Sequence, residues 1–293
     1  SDPDIYAVGD AVESFQRQTG RPGRLALAGP AQRQARIAAD HMYGLPAGDR
    51  GFLGSSCIRV FGLNAAVTGL NEAAARAAGL DFDCALVYAP DKVGLMPDAN
   101  YMAFKLLFER PSGRLLGAQA VGKGPADQRV NVIAALIGMG GTLEDLRYYE
   151  HCYAPLFSTA KDVVHMAALV GSNLLSGRLK QVRLEQVREL VEAGAYIVDV
   201  REEEEFAGGH IKGARNIPLS CLRERMDEIP KDRPVYLHCR SSQRSYYAYC
   251  ALTGSGFDQV VNISGSFLGL CLYEAFHDKA QGRTPIVTAY NFD

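Results

Sequence analysis

Apolar residues recur along this chain in two rhythms, one of period two and one near 3.6, which predict strands and helices respectively. Residues 103–109 and 115–121 are apolar runs joined by Pro111-Ser112-Gly113, the pattern of a β-hairpin. Residues 80–89 read as a further strand, residues 129–139 as a helix, and residues 71–78 as a short alanine-rich helix stopped by Gly79. Near the start, residues 4–11 read as a short buried strand ending at a Gly-Asp turn. Residues 24–43 read as a helix, with Leu25, Ala28, Ala31, Ala35, Ala38, Ala39 and Met42 at helical spacing. Residues 173–180 have the composition of a linker. Beyond them, residues 184–193 read as a helix, 196–200 as a strand, Val235–His238 as a strand, 246–252 as a helix and Val260–Ile263 as a strand. That alternation predicts an α/β unit with a mostly parallel sheet, after a first half of α+β type.

Two hundred and ninety-three residues suffice for about two domains with cores of their own. A formal net charge of −2 gives no basic field, which argues against nucleic acid as a partner. No apolar run approaches the roughly 20 residues that span a bilayer, and Ser1-Asp2-Pro3-Asp4 lacks the basic flank and apolar core of a signal peptide. Seven cysteines, without a Cys-x-x-Cys pair, suit a reducing cytoplasm rather than a disulfide framework. Histidines and cysteines are too scattered for a zinc site, so no metal is expected.

The chemistry concentrates at residues 235–245, Val-Tyr-Leu-His-Cys-Arg-Ser-Ser-Gln-Arg-Ser. A strand runs into Cys239, then a short basic loop, then a helix. A helix start offers unpaired N–H groups and the positive end of its dipole, both of which favour an anion. Nearby arginines add to that, so Cys239 is the candidate nucleophile, with Arg240 and Arg244 beside it. Cys57, Cys84, Cys152, Cys221, Cys250 and Cys271 read as small buried apolar residues.

Upstream of that loop stand Asp199-Val200-Arg201-Glu202, Glu205-Phe206, Gly209-His210-Ile211, Gly213-Ala214 and Asn216-Ile217-Pro218-Leu219. Together with Cys239 these motifs resemble the rhodanese sulfurtransferase family over residues 180–293. The resemblance implies that Cys239 carries a persulfide whose outer sulfur is held by the loop amides of Ser241, Ser242, Gln243 and Ser245. Cysteine phosphatases of this fold have a loop one residue longer, with arginine six positions after the cysteine. Here Ser245 holds that position and Arg244 stands at five, which favours sulfur over phosphate. Arg240 and Arg244 would then attract anionic donors and stabilise departing charge. Asp199 and Arg201 read as a structural ion pair beneath the loop. His210 reads as the holder of a turn, with a role as a base left open. The acidic run 202–205 reads as a solvated helix start.

The earlier sequence carries a second resemblance. Asp4-Ile5-Tyr6-Ala7-Val8-Gly9-Asp10-Ala11 and Leu27-Ala28-Gly29-Pro30-Ala31 look like flavin-binding segments of pyridine nucleotide-disulfide oxidoreductases. In that family Asp10 would meet the ribityl chain of FAD, and Leu27 and Ala28 would pass the flavin ring. Phe61-Gly62-Leu63, residues 68–72, residues 105–108, residues 116–119 and Tyr153-Ala154-Pro155 resemble the dimerisation domain of the same family. A homodimer is implied, with Tyr153 and Phe157 near the partner's active site; Tyr153 reads equally as a packed interface residue.

No Gly-x-Gly-x-x-Gly follows a strand, and no redox-cysteine helix is present. The expected organisation is therefore residues 1–50 as the tail of an FAD-binding domain, 51–172 as an α+β dimerisation domain and 180–293 as a rhodanese domain. This looks like the C-terminal part of a coenzyme A-disulfide or persulfide reductase-like flavoprotein. The resemblance implies FAD and NAD(P)H in a longer parent and no cofactor on this chain alone. It implies small sulfane-sulfur or thiol substrates, and leaves open a non-catalytic sulfur carrier. Relatives commonly place Tyr-Tyr-Pro-Gly where Leu95-Met96-Pro97-Asp98 stands here, which puts a coenzyme A substrate in question.

Overall fold

A computed structural model describes residue 2 and residues 4–292; Ser1 and Pro3, from the segment read for a signal peptide, and Asp293 lie outside the described residues. The first segment departs from expectation. Residues 4–8 form no strand and are exposed, and Gly9–Ala11 is a 3₁₀ turn. A strand needs a neighbour for its backbone groups, and among the described residues this one has none. A two-stranded ribbon, β1 (Ser14–Phe15) and β2 (Pro22–Gly23), leads to α1, which starts at Ala28 and ends at Met42. The helix cannot begin at Arg24, because the Pro30 ring would collide with the carbonyl of Ala26 inside a helix. At the third helical position proline is harmless, since that N–H has no partner anyway.

The next body is an antiparallel sheet with helices on one face. Its elements in chain order are β3 (Ser56–Val60), β4 (Leu63–Gly69), α2 (Glu72–Ala77), β5 (Phe82–Pro90), β6 (Tyr101–Glu109), β7 (Leu115–Gly122), α3 (Ala126–Gly138), α4 (Leu143–Arg147) and α5 (Val163–Leu175). Strand order is β3-β4-β7-β6-β5, every pair antiparallel. Met102, Phe104, Leu106 and Phe108 point to one face at period two and are fully buried, in a core shared with Val130, Ile133 and Ala167 of α3 and α5. Asn71 caps α2 by accepting from the Ala74 N–H at 2.8 Å. On the opposite face, Ile58, Val60 and Leu63 of the β3–β4 hairpin are exposed, as is Phe61 at its tip.

Helix α5 runs into the expected linker. Residues 173–175 are its last turn and Leu179 is buried, so the connection narrows to residues 176–178. A parallel sheet follows, with β8 (Gln181–Val182), α6 (Leu184–Glu192), β9 (Tyr196–Asp199), α7 (Glu203–Ala207), β10 (Arg215–Asn216), β11 (Val235–His238), α8 (Gln243–Gly254), β12 (Val260–Ile263) and α9 (Ser266–Gln281). The order is β10-β9-β11-β12-β8, all parallel. Helix α8 starts three residues earlier than its apolar pattern suggests. The strand-then-helix alternation read from the sequence is present.

The second sheet's domain packs on the outer face of the first. Leu86 and Tyr88 of β5 lie against Gly265, Gly269 and Leu184, and a Cβ on Gly269 would fall 3.0 Å from the Tyr88 ring. Gln181 donates through Nε2 to the Cys84 carbonyl at 2.8 Å. Among the described residues no helix is long and apolar enough to cross a membrane, and no group of three or more His, Cys, Asp or Glu could hold a metal ion.

Candidate functional site

Cys239 stands at the C-terminal end of β11, the middle strand of the parallel sheet, where ligand crevices of such sheets form. Its residue is 1% exposed. The following loop is stitched to the start of α9: the Phe267 N–H donates to the Cys239 carbonyl and the Leu268 N–H to the Arg240 carbonyl, each at 3.0 Å. Ser266 is the hub. Its hydroxyl accepts from the Cys239 N–H at 3.2 Å, lies 3.0 Å from the Ser242 hydroxyl, and sits 4.0 Å from the Cys239 sulfur. Ser242 has φ +76°, the left-handed region, and from that kink α8 begins. The Ser245 hydroxyl donates to the Ser242 carbonyl at 3.2 Å. The backbone N–H groups of residues 240–245 donate to no backbone carbonyl among the described residues. A run of unpaired N–H groups at a helix start is an anion cradle.

The two loop arginines are both engaged. Arg244 grips the Glu205 carboxylate in a fork, Nη1 to Oε2 at 2.6 Å and Nη2 to Oε1 at 2.7 Å. This pairing holds the Glu205 carboxyl below its usual range and pushes the Arg244 guanidinium up. Glu205 is thus more than part of a solvated helix start, because its partner lies 39 residues away in a loop that sequence order does not bring near. Arg240 turns back instead, donating from Nη1 to the Asn291 carbonyl at 3.4 Å, with Nη2 buried.

Below the loop, Asp199 and Arg201 form an ion pair in which neither side chain exceeds 1% exposure. Arg201 donates from Nε to both carboxylate oxygens at 3.0 Å and from Nη2 to Oδ2 at 2.6 Å and to the Gly209 carbonyl at 2.7 Å. Burial opposes ionisation of Asp199, but His238 and Arg201 outweigh it and leave the carboxyl below its usual range. His238, which adjoins Cys239 but carries no motif signal of its own, is fully buried with Nε2 3.6 Å from Asp199 Oδ2. Burial pushes its imidazole down. His210 stacks on Phe206 with centroids 3.8 Å apart, and its Nδ1 lies 2.9 Å from the Phe206 carbonyl.

The remaining candidates lie elsewhere. Tyr153 and Phe157 are exposed on the first sheet's domain and line a cavity of about 520 Å³ with Arg129, His151, Cys152 and Ser158. Asp10 is exposed in its 3₁₀ turn, and Leu27 and Ala28 stand at the start of α1. Gly9, next to Asp10, shares a smaller cavity of about 270 Å³ with Pro30 and Gln34 of α1. No strand followed by Gly-x-Gly-x-x-Gly and a helix, the arrangement that seats a dinucleotide's pyrophosphate, lies among the described residues.

Residues 56–164 match the pyridine nucleotide-disulphide oxidoreductase dimerisation domain, and residues 183–271 match the rhodanese-like domain. The fold is similar to reduced CoADR-RHD from Bacillus anthracis, with a TM-score of 0.88 and 39% identity, covering 92% of this chain and 48% of that one. It is also similar to a NAD-dependent persulfide reductase from A. fulgidus, with a TM-score of 0.84 and 34% identity, covering 91% and 48%. Among curated proteins, coenzyme A disulfide reductase from Staphylococcus epidermidis is 31% identical over 165 residues, 56% of this chain and 37% of the relative. The chain thus spans about half the length of those structures and little more than a third of that curated protein.

Proposed function

Given a chain in which a pyridine nucleotide-disulphide oxidoreductase dimerisation domain is followed by a rhodanese-like domain, we propose that Cys239 carries sulfur between small molecules as a persulfide. The run of unpaired loop N–H groups at residues 240–245 carries this reading. The Cys239 thiolate attacks the outer sulfur of a donor R–S–SH; the S–S bond breaks, RS⁻ departs and takes up the proton, and Cys239–S–S⁻ remains in the cradle. An acceptor thiolate R′S⁻ then attacks that outer sulfur, releasing R′–S–S⁻ and restoring the Cys239 thiolate. Loop amides stabilise the outer sulfur's charge, and the buried Asp199–Arg201 pair keeps the loop bed rigid.

Residues 51–172 act as the dimerisation domain, 180–293 as the sulfurtransferase and 1–50 as the tail of a flavin-binding domain. In a longer chain carrying the flavin half, FAD and NAD(P)H would supply electrons for persulfide or disulfide reduction. Tyr153 and Phe157 would then face the partner subunit. The test is mass spectrometry after exposure to a sulfane-sulfur donor. The peptide containing Cys239 gains about 32 Da, a thiol reverses the gain, and Cys239→Ser abolishes it. A gain confined to Cys221, Cys250 or Cys271 would overturn the assignment.

A further inference from the structure

Three arginines belong to the loop that carries Cys239 or to the ion pair beneath it, and the structure commits each of them. Arg201 is buried against Asp199. Arg240 reaches the C-terminal segment through Asn291. Arg244 stands five residues after Cys239, at the start of α8, and both of its outer nitrogens are taken by Glu205. Glu205 is in turn fixed from a second side, since its Oε2 accepts the Glu202 N–H at 3.3 Å. Glu202 is itself held by the Ser220 hydroxyl at 3.0 Å and adds a further carboxylate near Arg244. The Arg244–Glu205 pair is about a third exposed on each side, so it lies at the rim, where a donor entering the loop meets it.

We infer that Glu205 is a specificity-determining residue that turns the loop away from dianionic sulfur donors and toward donors carrying at most one negative charge, such as alkyl persulfides. A planar guanidinium held by two parallel hydrogen bonds presents no free fork to a second anion. Thiosulfate would have to break that fork or bind beside a fixed carboxylate, and either course disfavours a dianion. An alkyl persulfide needs only the loop amides for its outer sulfur. Transfer from thiosulfate would run as Cys239–S⁻ plus S–SO₃²⁻ giving Cys239–S–S⁻ plus SO₃²⁻, so the whole dianionic charge must be accommodated at the rim as the S–S bond breaks.

This inference rests on Cys239 forming a persulfide, and the experiment separates the two. Sulfur transfer to one acceptor thiol is measured for the wild type and Glu205→Gln, with thiosulfate and with the persulfide of 2-mercaptoethanol as donors. Glutamine keeps the shape and one acceptor oxygen but releases the charge of Arg244. The ratio of kcat/KM for thiosulfate to that for the alkyl persulfide should rise at least tenfold, and the thiosulfate rate of the variant should fall more steeply with added salt. A ratio unchanged within twofold, or lowered, overturns the inference while leaving the persulfide chemistry standing. No transfer and no label on wild-type Cys239 with either donor overturns both. Should Glu205→Gln fail to fold, as judged by its melting curve, Glu205→Asp carries the test: the shorter side chain loosens the fork, and the ratio should rise by a smaller factor.

Discussion

Arg183, the residue before α6, donates to the Glu72 carboxylate at the start of α2 at 2.7 Å, across the boundary between the two sheets. Glu72 also pairs with Lys105 and with Arg76, and Arg183 reaches Asp83 at 3.2 Å. One carboxylate thus serves three cations and ties the second domain to the first. Burial opposes its ionisation, but Lys105, Arg183 and Arg76 together hold the carboxyl below its usual range.

Glu72→Gln should therefore destabilise the chain by about 1–2 kcal/mol near pH 7, with the two domains melting less cooperatively in calorimetry. The sign follows from linkage. A carboxyl whose folded pKa is depressed contributes stability above its unfolded pKa and loses it as pH falls through the folded value. The gap between wild type and variant should begin to narrow below about pH 4.3, the ordinary glutamate value, and close only below the lowered folded value. A gap that stays constant as pH is lowered until the chain unfolds would show that Glu72 acts through packing rather than charge.

Removing Arg201 leaves the Asp199 carboxylate buried without its main partner. Arg201→Leu should cost about 3–5 kcal/mol in urea unfolding, more than any exposed pair here, such as Arg225–Glu228. Asp199 is likewise depressed, so this contribution too fades only as pH falls through its folded pKa.

Ser242 holds φ +76° at the kink before α8. A β-branched side chain tolerates that region poorly, so Ser242→Val should cost about 1–3 kcal/mol and slow sulfur transfer. Ser242→Gly removes the strain but also the hydroxyl that faces Ser266, and should retain most of the stability. Equal melting temperatures for Val and Gly would show that the kink relaxes freely.

Thiol alkylation should sort the seven cysteines. Contrary to the buried reading, Cys57, Cys152 and Cys250 are exposed, because a cysteine's polarity does not fix which face of its element it takes, and they should react first. Burial pushes the Cys84 thiol up to about 11 and raises Cys271 as well, so both should stay unmodified in the native state at pH 8. Cys239 is as buried as those two. If the cradle favours its anion, its peptide should be alkylated well ahead of theirs, and equal protection would count against a reactive thiol.

The apolar outer face at Ile58, Val60 and Leu63 lies on the domain that matches a dimerisation domain. Ile58→Asp with Leu63→Asp should turn a dimer into a monomer by light scattering at micromolar concentration, without lowering the melting temperature by more than a few degrees. A wild-type monomer would remove the premise.

What the sequence by itself determined was local and periodic. The apolar runs 103–109 and 115–121 with Pro111-Ser112-Gly113 between them set the β6–β7 hairpin, and the end of β11 placed Cys239 before a turn and a helix. Helices α5 and α9 are not legible in the sequence, because α5 carries no Asp, Glu, Lys or Arg and α9 buries residues around most of its girth, so neither shows a strong polar stripe at helical period. Residues 4–11 had a strand's composition, but a strand exists only where another backbone pairs with it. Only the tertiary structure decided that Ser266, 27 residues from Cys239, is the hub of the loop, and that Glu205 neutralises Arg244. Those contacts join residues far apart in the chain, brought together when parallel strands end side by side, and a charged residue's spacing along the chain does not specify which opposite charge will meet it.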